Sequence, residues 1–177
     1  MRIYVIGVTG SGKTTLARQL AHHLGCPQVE LDALVWGPQW QLAPDALFLE
    51  RLTAALVGDD WVVDGNYSRV RDLIWARVEL VVWLDYPLVM NLWRLLRRSI
   101  RRIVSQEELW GTGNRETWRS QFLQSDSLFV WAITTHGEKR RRYSELIQRP
   151  EYAHIHFVRL RSPRATQRWL AAFKQQT

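Results

Sequence analysis

The sequence predicts an α/β fold in which a parallel β-sheet is covered by helices on both faces. Three observations predict it. Short apolar runs rich in β-branched residues recur along the chain, as is typical of strands buried on both sides. Segments with apolar residues at helical spacing separate these runs. A glycine-rich turn joins the first run directly to the first helical segment, which leaves no room for another element.

The first strand is predicted at residues 2–6, and the helix after it places Leu16, Leu20 and Leu24 on one face. Further strands are predicted at residues 28–31, 61–63, 80–84 and 154–160. Further helices are predicted at residues 44–57, 70–76, 87–105, 116–123, 127–147 and 163–174. Because the chain shows no repeat, low-complexity tract or linker, we expect one domain over residues 1–177.

The turn after the first strand fits G-x-x-x-x-G-K-[ST] from Gly7 to Thr14. Glycines let backbone N–H groups turn inward around a phosphate, and the start of the helix adds the positive end of its dipole. We expect Lys13 to reach the β- and γ-phosphates and the Thr14 hydroxyl to bind Mg²⁺. The alternative is a glycine-rich turn with an unrelated lysine. The predicted nucleotide-binding residues here are Gly7, Thr9, Gly10, Ser11, Gly12, Lys13, Thr14 and Thr15.

The charge of the chain favours polyanionic partners such as nucleotides, nucleic acid or an acidic surface. The chain has 24 basic and 17 acidic residues, for a net charge of +7, and only three of the basic residues are lysines. Cys26 is the single cysteine, so an internal disulfide is impossible and a reducing compartment is expected. A signal peptide and an apolar run of roughly 18 residues are both missing, so we expect a soluble, cytoplasmic protein.

Three predicted strands are followed by an aspartate, namely Asp32, Asp64 and Asp85. Ligands of open α/β sheets collect at the carboxyl ends of the strands, so these carboxylates should share an edge with the phosphate loop. We expect Asp64 to help hold Mg²⁺, because Gly65 beside it allows a ligand to approach closely. Each aspartate could instead be a helix cap or a turn residue.

The helix predicted at residues 87–105 is strongly basic, and its spacing predicts an arginine face opposite an apolar face. The arginines are Arg94, Arg97, Arg98, Arg101 and Arg102, and the apolar residues are Val89, Leu92, Leu96, Ile100 and Ile103. Like charges at this spacing repel, which favours a bound phosphate between them; a solvated or partner-docked face is the alternative. The polar segment at about 103–120 is predicted to be a lid carrying Arg115 or Arg119 to the phosphates, or else an ordinary surface loop.

The chain has ten tryptophans, an unusual number for its length. Trp61, Trp75 and Trp83 fall in strand or helix patterns, so we expect them in the core. Trp36 and Trp40 follow Asp32 around a predicted turn, where they could stack on a substrate or merely close the edge of the sheet. The histidines do not have metal-ligand spacing, so a zinc site is not expected.

Together, these residues resemble the nucleoside monophosphate kinase-like P-loop kinases over essentially the whole chain. The similarity rests on the phosphate loop, on Asp64-Gly65, and on Leu84-Asp85-Tyr86-Pro87 followed by Arg94 and Arg98. The resemblance implies a three-layer P-loop NTPase with a five-stranded parallel sheet in the order 2-3-1-4-5 and a helical or loop lid. It also implies that Asp64 orients Mg²⁺ and that the two arginines contact the nucleotide.

Within that group, the chain looks most like the small bacterial adenylate kinase-like branch also labelled DNA topology modulation proteins. The similarity rests on Leu31-Asp32-x-x-x-Trp36, on Asp64-Gly65-Asn66-Tyr67, and on Trp131 followed by the basic run at 139–143. The chain lacks the Thr-Gly-Asp of the adenylate kinase AMP site and has Ser68, followed by Arg69, where those enzymes carry an arginine. Asp32 is similar instead to the aspartate that binds or deprotonates a hydroxyl acceptor in other P-loop kinases.

We therefore expect an ATP- and Mg²⁺-dependent phosphotransferase acting on a small acceptor. The predicted catalytic residues are Lys13, Asp32, Arg94 and Arg98, of which both arginines also bind the nucleotide, and the predicted metal ligands are Thr14 and Asp64. The predicted acceptor-binding residues are Asp32, Trp36, Trp40, Asp64, Asn66 and Arg69. The alternative is a nucleic-acid-associated P-loop ATPase involved in DNA topology modulation, which the charge favours but no base-reading module supports. A GTP-dependent switch is weaker still, because Asn-Lys-x-Asp is absent.

Overall fold

The structure, a computed structural model, describes residues 1–123 and 127–176. The strands of its main sheet are β1 (Arg2–Gly7), β2 (Gln28–Glu30), β3 (Trp61–Asp64), β4 (Leu80–Leu84) and β7 (His156–Leu160). A separate hairpin consists of β5 (Glu108–Leu109) and β6 (Asn114–Arg115). The main sheet is parallel throughout and has the order β2-β3-β1-β4-β7. The predicted order 2-3-1-4-5 is confirmed, because β7 is the fifth strand of this sheet.

Helices cover both faces of the sheet because successive side chains of each strand point in opposite directions. Ile3 and Val5 pack with α1 and α7 residues in one buried cluster, and Tyr4 and Ile6 pack with residues of α2, α3 and α4 in the other. The helices are α1 (Lys13–Leu24), α2 (Leu31–Val35), α3 (Asp45–Ala55), α4 (Ser68–Trp75), α5 (Leu88–Ser105), α6 (Leu128–Leu146) and α7 (Pro163–Gln176). The predicted core tryptophans Trp61, Trp75 and Trp83 are all buried. In the described part of the chain, no helix has the length and apolarity needed to cross a bilayer.

A short helix, α2, replaces the end of the predicted second strand. β2 ends at Glu30 and the helix begins at Leu31, whereas the sequence pattern predicts a strand through residue 31. Leu31 is fully buried against Gly65, where an added Cβ would lie 2.7 Å from the Leu31 Cβ. A single buried leucine after a short apolar run fits either element, so periodicity could not separate them. The helix places Asp32 in its first turn, at the carboxyl edge of the sheet.

The two predicted faces of α5 are wrong. Its buried residues are Asn91, Leu95, Ser99 and Ile103, whereas Val89 is 79% exposed. The helix lies so close to the phosphate loop that a Cβ on Gly10 would come within 2.3 Å of the Asn91 carbonyl oxygen. Such close packing favours small and polar residues on the buried face. The arginines divide accordingly, with Arg94, Arg98 and Arg102 half-buried and Arg97 and Arg101 exposed.

The segment predicted to be a lid has a compact structure of its own. After α5 the chain forms the β5–β6 hairpin and then a short π-helical turn (Arg119–Leu123). Arg102 Nη1 donates to the buried carboxylate of Glu116 at 2.9 Å, which fastens the hairpin to the end of α5. The segment predicted to be a lid therefore contains a defined hairpin, which begins at Glu108 after α5 ends at Ser105.

Asp85 joins three elements at the end of β4. Its Oδ2 accepts hydrogen bonds from Arg159 Nε at 2.9 Å and Nη2 at 2.7 Å, both from β7. Arg140 Nε of α6 lies 3.2 Å from the same oxygen. The carboxylate is almost fully buried, so these arginines replace its lost contacts with water. Asp85 is therefore the strand-end aspartate whose ion pairs join β4 to β7 and α6, which is a structural role.

Replacing Asp85 with asparagine should lower the free energy of unfolding by about 2 kcal/mol, because two arginines would lose their shared anion. The effect should fall below that of a fully buried pair, since Arg159 remains 27% exposed. Urea denaturation measures it. Glu151→Gln is the control, because the exposed Glu151–Arg149 pair should contribute at most about 1 kcal/mol. Equal losses in the two variants would contradict the role given to Asp85.

Candidate active site

The phosphate loop leaves the first backbone N–H groups of α1 without a side-chain cap. Gly12 precedes the helix with a φ of 93°, in a region that favours glycine. Arg94 crosses the loop from α5 and donates through Nη1 to the Ser11 carbonyl at 3.0 Å. Free N–H groups and a nearby cation suit an anion. Of the predicted loop residues, Gly7 and Ser11 are buried, Thr9, Gly10, Gly12, Lys13 and Thr14 are half-buried, and Thr15 is exposed.

Lys13 folds back over the loop, and its Nζ donates to the Val8 carbonyl at 3.2 Å. Burial lowers the pKa of Lys13, while the negative charges of Asp32 and Asp64 oppose this shift. Asp32 contributes the larger of these two opposing effects. Two of the three strand-end carboxylates therefore favour the charged form of the loop lysine.

Thr14 and Asp64 place two oxygen donors side by side below the loop. The Thr14 hydroxyl donates to Asp64 Oδ1 at 2.8 Å, and Gln28 Nε2 donates to Asp64 Oδ2 at 3.0 Å. Burial raises the pKa of Asp64, and these two hydrogen bonds oppose the rise. Hard oxygen donors of this kind fit Mg²⁺, which takes few protein ligands and completes its shell with phosphate and water. No group of three or more His, Cys, Asp or Glu residues gathers elsewhere in residues 1–123 and 127–176 to hold a metal alone.

Asn66 fixes the junction between β1 and the phosphate loop. Its Nδ2 donates to the Gly7 carbonyl, and its Oδ1 accepts a long hydrogen bond from the Gly7 N–H at 3.4 Å. The Tyr143 hydroxyl of α6 also donates to this Oδ1, at 3.0 Å. The amide that was predicted to touch the acceptor thus links the loop to α6.

Asp32 is oriented by Tyr67, whose hydroxyl donates to Asp32 Oδ1 at 2.6 Å. Burial and the neighbouring Asp32 charge both raise the pKa of Tyr67, so its hydroxyl stays protonated and remains a donor. In the sequence, Tyr67 stands out only as the end of the Asp64-Gly65-Asn66-Tyr67 motif. Its contact with a residue 35 positions away in the chain has no local signal.

Trp36 and Trp40 lie beneath the lid. Their rings meet edge to face with centroids 5.7 Å apart, and Trp40 meets Trp110 of the lid in the same way at 6.0 Å. Trp110 Nε1 also donates to the Glu30 carboxylate at 3.1 Å. Trp36, Trp40 and Trp110 form an aromatic cluster that connects the lid to the segment after Asp32. The two tryptophans predicted to bind substrate therefore contact each other, and Trp40 also contacts Trp110.

Asn114 holds the lid on the same segment. Its Nδ2 donates to the Gly37 carbonyl at 2.8 Å, and its Oδ1 accepts from the Trp40 N–H at 3.0 Å. The side chain is buried, so it satisfies two backbone groups in place of water. Asn114 was not among the predicted site residues, because an asparagine in a glycine-rich turn is ordinary.

Replacing Asn114 with alanine should release the lid, because each backbone group left unpaired would cost about 1–3 kcal/mol. We expect trypsin to cleave after Arg115 and Arg119 several-fold faster, and tryptophan emission to change as the aromatic cluster separates. Ser105→Ala is the control, since Ser105 is exposed and makes one long hydrogen bond at 3.5 Å. Cleavage at the wild-type rate in the Asn114 variant would contradict the role of Asn114 in holding the lid.

The arginines predicted to act at the site lie in different environments. Arg98 Nε is buried and has no hydrogen-bond partner among the described residues. Burial lowers the pKa of Arg98, with a further contribution from Arg102. Arg69 instead pairs with Asp45 and lies over the Phe48 ring at 4.8 Å. An entering anion would therefore find Arg98 Nε without a partner among the described residues, and Arg69 already paired.

Comparison with known proteins relates this geometry to a class. No protein-family model matches the chain. It is 26% identical over 141 residues to a shikimate kinase of Synechococcus elongatus, a match that covers 70% of this chain and 74% of that protein. The crystal structure of Acinetobacter baumannii shikimate kinase in complex with shikimate superposes with a TM-score of 0.58 at 19% identity, over 99% of this chain and 91% of that one. A gluconokinase of Sinorhizobium meliloti 1021 gives a TM-score of 0.51 at 18% identity, over 99% and 94%.

The sheet order, the complete phosphate loop and these likenesses define a P-loop protein of the nucleotide kinase-like class. The predicted P-loop kinase-like family is thus confirmed. The compared proteins are shikimate kinases and a gluconokinase, and their likeness to this chain supports phosphoryl transfer as its class of activity.

Proposed function

We propose that the protein transfers the γ-phosphoryl group of ATP, with Mg²⁺, to a hydroxyl of a small acceptor bound between Asp32 and the lid. The observation that carries this proposal is that Tyr67 holds the Asp32 carboxylate at the carboxyl edge of the sheet, the edge at which β1 enters the phosphate loop. Asp32 is the charge that most strongly offsets the burial of Lys13, and Tyr67 holds it in one orientation. A carboxylate at the edge that holds the transferred phosphoryl group can act as the general base for an acceptor hydroxyl bound there.

The nucleotide side of the site relies on positioning and charge. The loop N–H groups and Lys13 hold the β- and γ-phosphates, and Arg94 braces the loop through Ser11. Thr14 and Asp64 would hold Mg²⁺, which supplies neutralisation of phosphate charge when bound. Arg98, whose Nε has no partner among the described residues, can compensate charge on the group in transit.

In the transfer itself, Asp32 accepts the proton of the acceptor hydroxyl while that oxygen bonds to the γ-phosphorus. The bond from the γ-phosphorus to the β,γ-bridging oxygen breaks, and ADP leaves with the electron pair. The lid excludes water, so that the acceptor and not water receives the phosphoryl group. This closure is supported by the hydrogen bond from Asn114 to Gly37 and by the aromatic cluster.

The acceptor is a small hydroxyl-bearing molecule. The compared proteins are named for shikimate and gluconate, both hydroxylated carboxylic acids, and Arg98 offers a cation to such an anion. The alternative, a nucleic-acid-associated ATPase, draws no support from these names.

A screen of ADP release tests the proposal. The panel would contain shikimate, gluconate, sugars, polyols, nucleosides and nucleoside monophosphates, each with ATP and Mg²⁺, and duplex DNA as a separate arm. We expect one small acceptor to raise ADP release to about 1–100 s⁻¹. Stimulation by duplex DNA alone, with no response to any small molecule, would overturn the proposal in favour of the ATPase.

A further inference from the structure

Helix α6 is docked against the phosphate-loop side of the sheet by two polar contacts. Tyr143 donates to Asn66 at 3.0 Å, and Asn66 in turn binds both backbone groups of Gly7. Arg140 lies 3.2 Å from Asp85 at the end of β4. Residues one helical turn apart share a face, so the position four residues before Tyr143 also faces this edge of the sheet. That position is Lys139.

The ammonium group of Lys139 is shielded from solvent without a hydrogen bond. Its Nζ has no partner among the described residues, and it lies 3.3 Å from the centroid of the Trp131 ring on the same helix. A buried amine that makes no hydrogen bond is costly. The aromatic face compensates part of this cost by a cation–π contact. An anion entering the site would compensate more.

The charges around Lys139 come from three elements. Burial lowers the pKa of Lys139 to about 7, and the positive charge of Lys13 is the next largest cause. Arg142 lowers it further, while Glu138 and Asp32 raise it. The positive charges of two lysines on different helices, α1 and α6, therefore repel each other. A bound phosphate between them would turn this repulsion into two attractive contacts.

We propose that Lys139 is a second phosphate-binding lysine, which leaves the Trp131 ring and contacts the γ-phosphate of a triphosphate held by Lys13. The inference rests on the proposed function and assigns one more residue to the same site. It gives α6 a direct part in recognising the group that is transferred. A diphosphate, which lacks that group, should not engage Lys139.

Binding should also take up a proton. Above pH 7 the free amine of Lys139 is mostly neutral, and below pH 7 it is mostly ammonium. A bound phosphate favours the ammonium form, so the amine takes a proton from solvent as the triphosphate binds. Affinity for the triphosphate should therefore fall as the pH rises above 7, by at most about tenfold per unit.

Replacing Lys139 with glutamine tests the contact by calorimetry. The variant should bind the non-hydrolysable analogue β,γ-imido-ATP about 10- to 100-fold more weakly, as expected for a lost charge-assisted hydrogen bond. Its affinity for ADP should stay within about twofold, which shows that the site is still folded. Lys174→Gln is the control on an exposed lysine of α7, and Lys139→Arg should restore part of the affinity. Equal losses for both nucleotides, or no loss for either, would overturn the inference.

The three lysines of the chain allow a second readout. With ¹³Cε-labelled lysine, the signal that Lys139→Arg removes should titrate near pH 7 and move to higher pH with β,γ-imido-ATP but not with ADP. If the midpoint did not change, the role proposed for Lys139 would be overturned, while the proposed function would stand. Failure of the wild-type protein to bind either nucleotide would instead overturn the proposed function.

Discussion

Replacing Lys13 with alanine should lower the turnover number by about 100- to 1,000-fold or more, because the transferred phosphoryl group would lose its main preorganised cation. The fold should persist, since among the described residues the Lys13 side chain donates its hydrogen bond to the Val8 carbonyl of its own loop. Initial rates of ADP release, measured with the acceptor found in the screen, quantify the loss. Circular dichroism and thermal unfolding confirm that the variant is folded.

Lys174→Ala is the matched control for this experiment, because it removes a lysine from the exposed part of α7. It should turn over at the wild-type rate. A folded Lys13→Ala variant that kept more than about a tenth of wild-type turnover would contradict the assignment of the phosphate loop.

Replacing Asp32 with asparagine should lower turnover by about 100- to 10,000-fold, which is the range for loss of a general base. The side chains have nearly the same shape, and the amide oxygen can still accept the Tyr67 hydrogen bond. Binding of β,γ-imido-ATP should therefore change little. Initial rates and calorimetry on the same preparation separate the two effects.

Tyr67→Phe gives a graded comparison, because it leaves the carboxylate but removes the donor that orients it. We expect turnover to fall by about tenfold, which is well below the loss expected for the Asp32 variant. If Asp32→Asn kept its turnover, or if it lost nucleotide binding and turnover in equal measure, Asp32 would not be the acceptor-side base.

The fold could be predicted from the sequence because its determinants are local. The strands of a parallel sheet buried on both faces are continuous apolar runs, and the glycines at 7, 10 and 12 mark the turn into α1. Thr14 and Asp64 lie within hydrogen-bond distance of each other, because Asp64 ends β3 beside β1 and Thr14 follows the phosphate loop in α1. Their role as metal ligands stays a prediction.

The remaining contacts could not be predicted because they join distant parts of the chain. Asn114 meets Gly37, and Tyr143 meets Asn66, each across 77 positions. The buried face of α5 depends on its close approach to Gly10, so hydrophobic periodicity alone gave the wrong face. Lys139 appears in the sequence only as the start of the basic run at 139–143, and the docking of α6 shows that its amine is shielded.

The fate of a labelled γ-phosphate tests the central claim most directly. With [γ-³²P]ATP, Mg²⁺ and the acceptor found in the screen, the label should appear in a small organic phosphate, in amounts equal to the ADP formed, and Lys13→Ala should abolish it. Label recovered solely as inorganic phosphate, at the same rate with and without acceptor, would contradict the account of this protein as a kinase with its acceptor at Asp32.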